Sequence, residues 1–165
     1  MITAEALAPF RITQPARPAG DPAPLPYLLD RDDQQSGALA IELSVLLSSA
    51  AMRSAGSPPL QLSRVSATDL YWTVGQIVTH HASNGCDLRP GDLIGTGTIS
   101  GEADDAFGSL LEISRGGAAP FSLPTGERRT FLEDGDEVTF RGVARREGFV
   151  SIGFGACAAV VRPAR

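Results

Sequence analysis

The segment Gly95-Thr96-Gly97-Thr98-Ile99-Ser100-Gly101 concentrates more ligand-facing chemistry than any other stretch of this 165-residue chain. Its glycines open backbone conformations closed to other residues and let a ligand approach the main chain closely. Successive amides in such a loop can form an anion-binding concavity, and the Thr96, Thr98 and Ser100 hydroxyls can donate to a carboxylate or enolate. The spacing G-x-G-x-x-x-G, with no helix after it, does not fit a dinucleotide fingerprint. All 14 basic residues are arginine, so a phosphate loop that needs a lysine is excluded, as is a Schiff-base mechanism. The same glycines would equally serve a bulge at a barrel corner, and residue types leave both readings open.

Glu112 lies in Leu110-Leu111-Glu112-Ile113-Ser114, which reads as a strand. Its carboxylate there is either on a solvated face or aimed into a site, where burial or hydrogen bonding would suit it to orient a base. His80 and His81 are adjacent and cannot share a helix face, so they cannot chelate one ion as an i, i+4 pair can. His81 reads as a core histidine and His80 as a partner for the negative helix end. The acid runs Asp104-Asp105 and Glu133-Asp134-Gly135-Asp136-Glu137 do not match a calcium-loop spacing; turn chemistry accounts for the second. Cys86 and Cys157 are too few for a disulfide framework and are expected to be reduced and buried. No serine nucleophile elbow and no C-x-x-C pair occur.

These residues need elements to hold them. Alternation of Leu39, Ile41, Leu43, Val45 and Leu47 predicts a long half-buried strand, and Leu60 to Val65 a second. Ser66 and Asp69 have capping-box spacing, and Leu70, Val74, Ile77, Val78 and His81 recur at helical spacing. One main helix is therefore expected near residues 68–83, stopped by Asn84-Gly85. Strand and turn follow: Leu93-Ile94, Leu110 to Ser114, a hairpin at Thr125-Gly126, Val138 to Arg145 and Phe149 to Val161. Gly-Asp precedes an apolar step twice, at Gly91-Asp92 and Gly135-Asp136, and reads as one turn-into-strand device used twice. With 18 glycines and 12 prolines against one helix, a β-rich α+β fold of rolled or barrel-like form is expected.

Length fits one domain. A net charge of −5 with scattered arginines carries no phosphate-backbone footprint, so nucleic acid is not an expected partner. Met1 to Glu5 lacks the pattern of a signal peptide and no apolar run reaches a membrane span, so a cytoplasmic protein without a membrane partner is expected.

Several stretches together resemble one family, the fumarylacetoacetases. They include Leu25-Pro26-Tyr27-Leu28, Tyr71-Trp72-Thr73, Thr79-His80-His81, Asn84-Gly85-Cys86 and Leu88-Arg89-Pro90-Gly91-Asp92-Leu93. Gly97-Thr98-Ile99-Ser100-Gly101, Phe107-Gly108-Ser109, Leu111-Glu112, Asp134-Gly135-Asp136-Glu137-Val138 and Ile152-Gly153-Phe154-Gly155 continue it. The resemblance implies hydrolysis of a carbon–carbon bond in 4-fumarylacetoacetate, a diketo acid, at the last step of tyrosine and phenylalanine breakdown. It implies a homodimer using Ca²⁺ or Mg²⁺, with a histidine, oriented by a glutamate, activating water. By the same resemblance Gly97 and Thr98 fall at the substrate and Glu112 on the orienting glutamate. The family's acidic metal ligands, catalytic histidine and lysine have no counterpart in this chain.

Residues 1–165 are accordingly expected to be the carboxy-terminal portion of one catalytic domain of mixed β-roll or barrel-like form. Met1 reads as an internal start, a misplaced gene boundary or the edge of a deliberately cloned piece, and the portion as inactive alone. A related acylpyruvate- or oxaloacetate-type hydrolase or decarboxylase, and a non-catalytic anion-binding module, are the alternatives.

Overall fold

The computed structural model describes residues 2–164; Met1, and with it the expectation of an internal start, lies outside them, as does Arg165. The chain begins with α1 (Ala4–Leu7), capped by the Thr3 hydroxyl, and β1 (Arg11–Ile12). After the extended Pro-rich stretch come α2 (Arg31–Ser36) and β2 (Ala38–Leu39), which pairs antiparallel with β1. Next come β3 (Ile41–Ser48), α3 (Ala50–Ser54), β4 (Leu60–Ser66), α4 (Val74–Ala82) and α5 (Leu110–Ile113). The hairpin β5 (Phe121–Ser122) and β6 (Arg128–Arg129) precedes the long strands β7 (Glu137–Ala144) and β8 (Ile152–Val160).

Four strands form the main sheet, antiparallel throughout in the order β4-β3-β7-β8. The fold is thus mixed α+β and strand-rich, as expected. β3 is its centre because its alternation makes a side fit for burial: Ile41 and Leu47 are buried, and Leu43 and Val45 half-buried. Its register against β7 runs unbroken from Ile41 opposite Ala144 to Ser48 opposite Glu137. The β7–β8 pairing slips between Arg141 and Val143, where Gly155 takes φ +76°. A residue in that left-handed conformation at a bulge is ordinarily glycine.

The buried apolar core is small and divided. Phe10, Ile41 and Ala144 pack together at one end of the sheet, and Leu47, Met52 and Leu123 at the other. The molecule exposes 10872 Å², whereas a compact monomer of 17.3 kDa exposes roughly 7,800 Å². Leu93 and Val150 are 98% and 89% exposed, and every residue of β8 after Ile152 is exposed.

The structure corrects several expectations. The main helix starts at Val74, not at residue 68, because two capping boxes stand in tandem. Ser66 and Asp69 cap only the 3-10 turn Ala67–Asp69, while Thr73 and Gln76 cap α4. Leu70 to Trp72 lie between the two. The expected apolar stripe is not what α4 buries: Gln76 is buried while Val74 and His81 are exposed. Leu110–Ile113 is a helical turn, not a strand, because Ser109 caps it by accepting the Glu112 amide at 3.3 Å. Leu93-Ile94 forms no strand, since no described segment pairs with it. Both cysteines are exposed, not buried.

Candidate functional site

The loop and the glutamate singled out in the sequence meet. Ser109, at the N-cap of α5, donates its hydroxyl to Glu112 Oε2 at 2.7 Å, and Ser100 donates to the same oxygen at 3.0 Å. Ser100 Oγ in turn accepts the Gly108 amide at 3.0 Å, so the glycine loop, the 107–109 turn and α5 are tied through one carboxylate. Gly108 allows this approach: a Cβ there would strike the Ile99 carbonyl oxygen and come within 2.6 Å of the Thr98 methyl carbon.

The Ser109 hydroxyl first, and the Ser100 hydroxyl second, hold the Glu112 carboxyl below the ordinary glutamate range. The group is exposed, so hydrogen bonding and not burial sets its state. The Ser109 and Gly108 backbone amides add to this, and among the described residues no side chain donates to Oε1, which can accept one more hydrogen bond. Gly97 takes φ +80°, the left-handed conformation in which glycine carries no steric cost. Thr98 is exposed, and its hydroxyl is engaged by no described residue.

The histidines stand elsewhere. His80 Nδ1 pairs with the Tyr27 hydroxyl at 2.9 Å, the two rings nearly parallel. His81 is exposed with Nε2 at 3.3 Å from Cys86 Sγ, so it is not a core histidine. Among the described residues no group of three or more His, Cys, Asp or Glu side chains is placed to hold a metal ion. The described residues therefore do not by themselves fit the cation that the resemblance implies. Among the described residues no helix is long and apolar enough to cross a membrane.

Two features went unread in the sequence. Ser109-x-x-Glu112 has capping-box spacing, a signal that marks a helix start and would have placed both donor and carboxylate. The second is an ion cluster in the acid-rich 127–136 region. Buried Arg129 binds buried Asp136 through Nε at 2.9 Å and through its second terminal nitrogen at 3.2 Å. It also reaches Glu127 at 3.1 Å and Glu133 at 3.2 Å. Glu127 accepts the Ser49 and Thr125 hydroxyls, both at 2.6 Å.

Comparison with known proteins gives this arrangement its context. The family described as "Fumarylacetoacetate (FAA) hydrolase C-terminal" matches residues 20–162. Among similar curated proteins, fumarylacetoacetase of Homo sapiens is 43% identical over 164 residues, 99% of this chain and 36% of that protein. Fumarylacetoacetase of Arabidopsis thaliana is 40% identical over 163 residues, with coverage of 99% and 36%. That of Dictyostelium discoideum is 42% identical over 166 residues, again 99% and 36%. The chain thus spans about a third of the length of the curated relatives it matches. With the match running through the sheet, the glycine loop and Glu112 alike, the chain belongs to the fumarylacetoacetate hydrolase C-terminal family.

Proposed function

We propose that residues 1–165 are the carboxy-terminal portion of one catalytic domain and form one wall of a fumarylacetoacetase active site. The complete enzyme cleaves a carbon–carbon bond of the diketo acid 4-fumarylacetoacetate to give fumarate and acetoacetate. It is a cytoplasmic homodimer, and its cation, Ca²⁺ or Mg²⁺, is held by ligands outside this chain.

The observation that carries the reading is the Glu112 carboxylate: held ionised chiefly by two serine hydroxyls on one oxygen, with no side-chain donor on the other among the described residues. Such an oxygen can accept the N–H of an imidazole and fix its tautomer, leaving the second ring nitrogen to take a proton from water. Glu112 is thus a positioning residue for a histidine that this chain does not supply. Both histidines present are engaged elsewhere, by Tyr27 and Cys86. The Thr98 hydroxyl is free to donate to a substrate carboxylate or enolate oxygen, and Gly97 lets that oxygen approach the main chain.

Loss of fumarylacetoacetate absorbance tests the proposal. The 165-residue chain alone is expected to be inactive. Joined to the remaining two-thirds of the Homo sapiens relative, it is expected to hydrolyse the substrate. Activity of the chain alone would contradict the proposal, and so would a joined enzyme that prefers an acylpyruvate or oxaloacetate. Fumarate binding without turnover in a folded joined protein would favour an anion-binding module instead.

A further inference from the structure

A cavity of about 450 Å³ lies between the Pro-rich segment and α4, a volume within the range of small-molecule sites. Pro24, Leu25, Trp72 and Ile77 give it an apolar wall, and Arg17 supplies a cation. It shares no lining residue with the Gly95–Gly101 loop or the Glu112 cluster.

Arg17 is the unusual group. Its guanidinium carbon sits 4.1 Å from the Trp72 ring centre and 4.4 Å from that of Tyr71. Both terminal nitrogens are shut off from water and hydrogen-bond to no described residue. No described carboxylate forms an ion pair with it. Asp21, four positions along, is taken instead by the Tyr71 hydroxyl at 2.7 Å. Two aromatic faces offset part of the cost of sealing a cation from water, but they leave its N–H donors unmet.

We propose that this cavity binds an organic monocarboxylate with an apolar body. The body lies against Pro24, Leu25 and Ile77, and the carboxylate draws the Arg17 guanidinium off the Tyr71 and Trp72 rings into a two-point ion pair. The planar guanidinium matches a carboxylate in that geometry, and the exchange gives its donors the acceptors they lack.

Trp72 is the single tryptophan of the chain and reports on the movement directly. The 165-residue chain is titrated with 4-phenylbutyrate while Trp72 fluorescence is followed, and 4-phenylbutyramide serves as the uncharged match. The expected result is a saturable change with millimolar or tighter affinity for the acid. Binding of the amide, and of the acid to Arg17→Gln, should each be weaker by about tenfold or more. No saturable change would overturn the proposal; so would equal affinity for acid and amide, or unchanged affinity in Arg17→Gln with its circular dichroism intact. Should Arg17→Gln fail to fold, the comparison of acid with amide in the unsubstituted chain decides alone.

Discussion

The two Gly-Asp turns share a local design and differ in fate. In each, the aspartate amide bonds back to the carbonyl three residues earlier at 3.0 Å, Arg89 in one and Glu133 in the other. In each, the aspartate carboxylate accepts the amide of that same residue, at 2.8 Å for Asp92 and 2.9 Å for Asp136. The glycines match too, Gly91 at φ +104° and Gly135 at φ +89°. Yet Gly135-Asp136 feeds β7, paired on both sides, whereas Gly91-Asp92 leads to Leu93, 98% exposed and outside any strand.

The difference lies beyond the turn. Asp136 is buried against Arg129, and the strand that follows finds β3. Asp92 is exposed, and no described strand waits for Leu93-Ile94. A turn sequence sets backbone direction; a partner decides whether that direction becomes a strand.

Substitutions can break this comparison. Asp136→Ala leaves Arg129 without its buried partner, and chemical denaturation should show a loss of about 3–5 kcal/mol. Equal effects of Asp136→Ala and Asp92→Ala would show that the buried pair adds nothing to the turn. Thr73→Ala removes the cap of α4 and the hydroxyl that donates to Asp33; a loss of about 1–2 kcal/mol is expected by the same method. Asp92→Ala, at an exposed turn, should change stability by only about 0.5 kcal/mol.

The smallest effect concerns acid. The Ser49 hydroxyl first, then that of Thr125, holds the Glu127 carboxyl below the ordinary glutamate range. A carboxyl whose folded pKa is depressed contributes stability above its unfolded value and loses it as pH falls through the folded one. Stability from this group should therefore be complete above about pH 5 and decline below about pH 4.3. Glu127→Gln should flatten that limb in pH-dependent melting, and an unaltered limb would count against the role of Ser49 and Thr125.

The long strands were legible because alternation and pairing agree: β3, β4, β7 and β8 lie close to where periodicity put them. The start of α4 was not, because Ser66-x-x-Asp69 is a sound cap that closes a shorter turn before Thr73-x-x-Gln76 opens the helix. Glu112 was found as a residue but misplaced as a strand. Its neighbours Leu110, Leu111 and Ile113 suit either element, and the Ser109 cap decides between them. The resemblance pointed to Glu112 and Thr98, and the Ser109-x-x-Glu112 spacing carried the first donor; the second donor, Ser100, and the cation–aromatic cavity at Arg17 depend on how the chain folds back on itself. Burial of Gln76 is of the same kind: its side chain joins Gln14, Leu28 and the Thr73 amide, which periodicity along α4 cannot reveal.

The central claim is that the Glu112 carboxylate positions a histidine supplied by polypeptide outside this chain. Its most direct test is Glu112→Gln in the joined enzyme, with kcat and KM for fumarylacetoacetate measured across pH. A fall in kcat of about tenfold or more is expected, with KM little altered and the pH midpoint of kcat shifted downward as the base loses its anionic partner. An unchanged kcat and pH profile in the folded variant would contradict it.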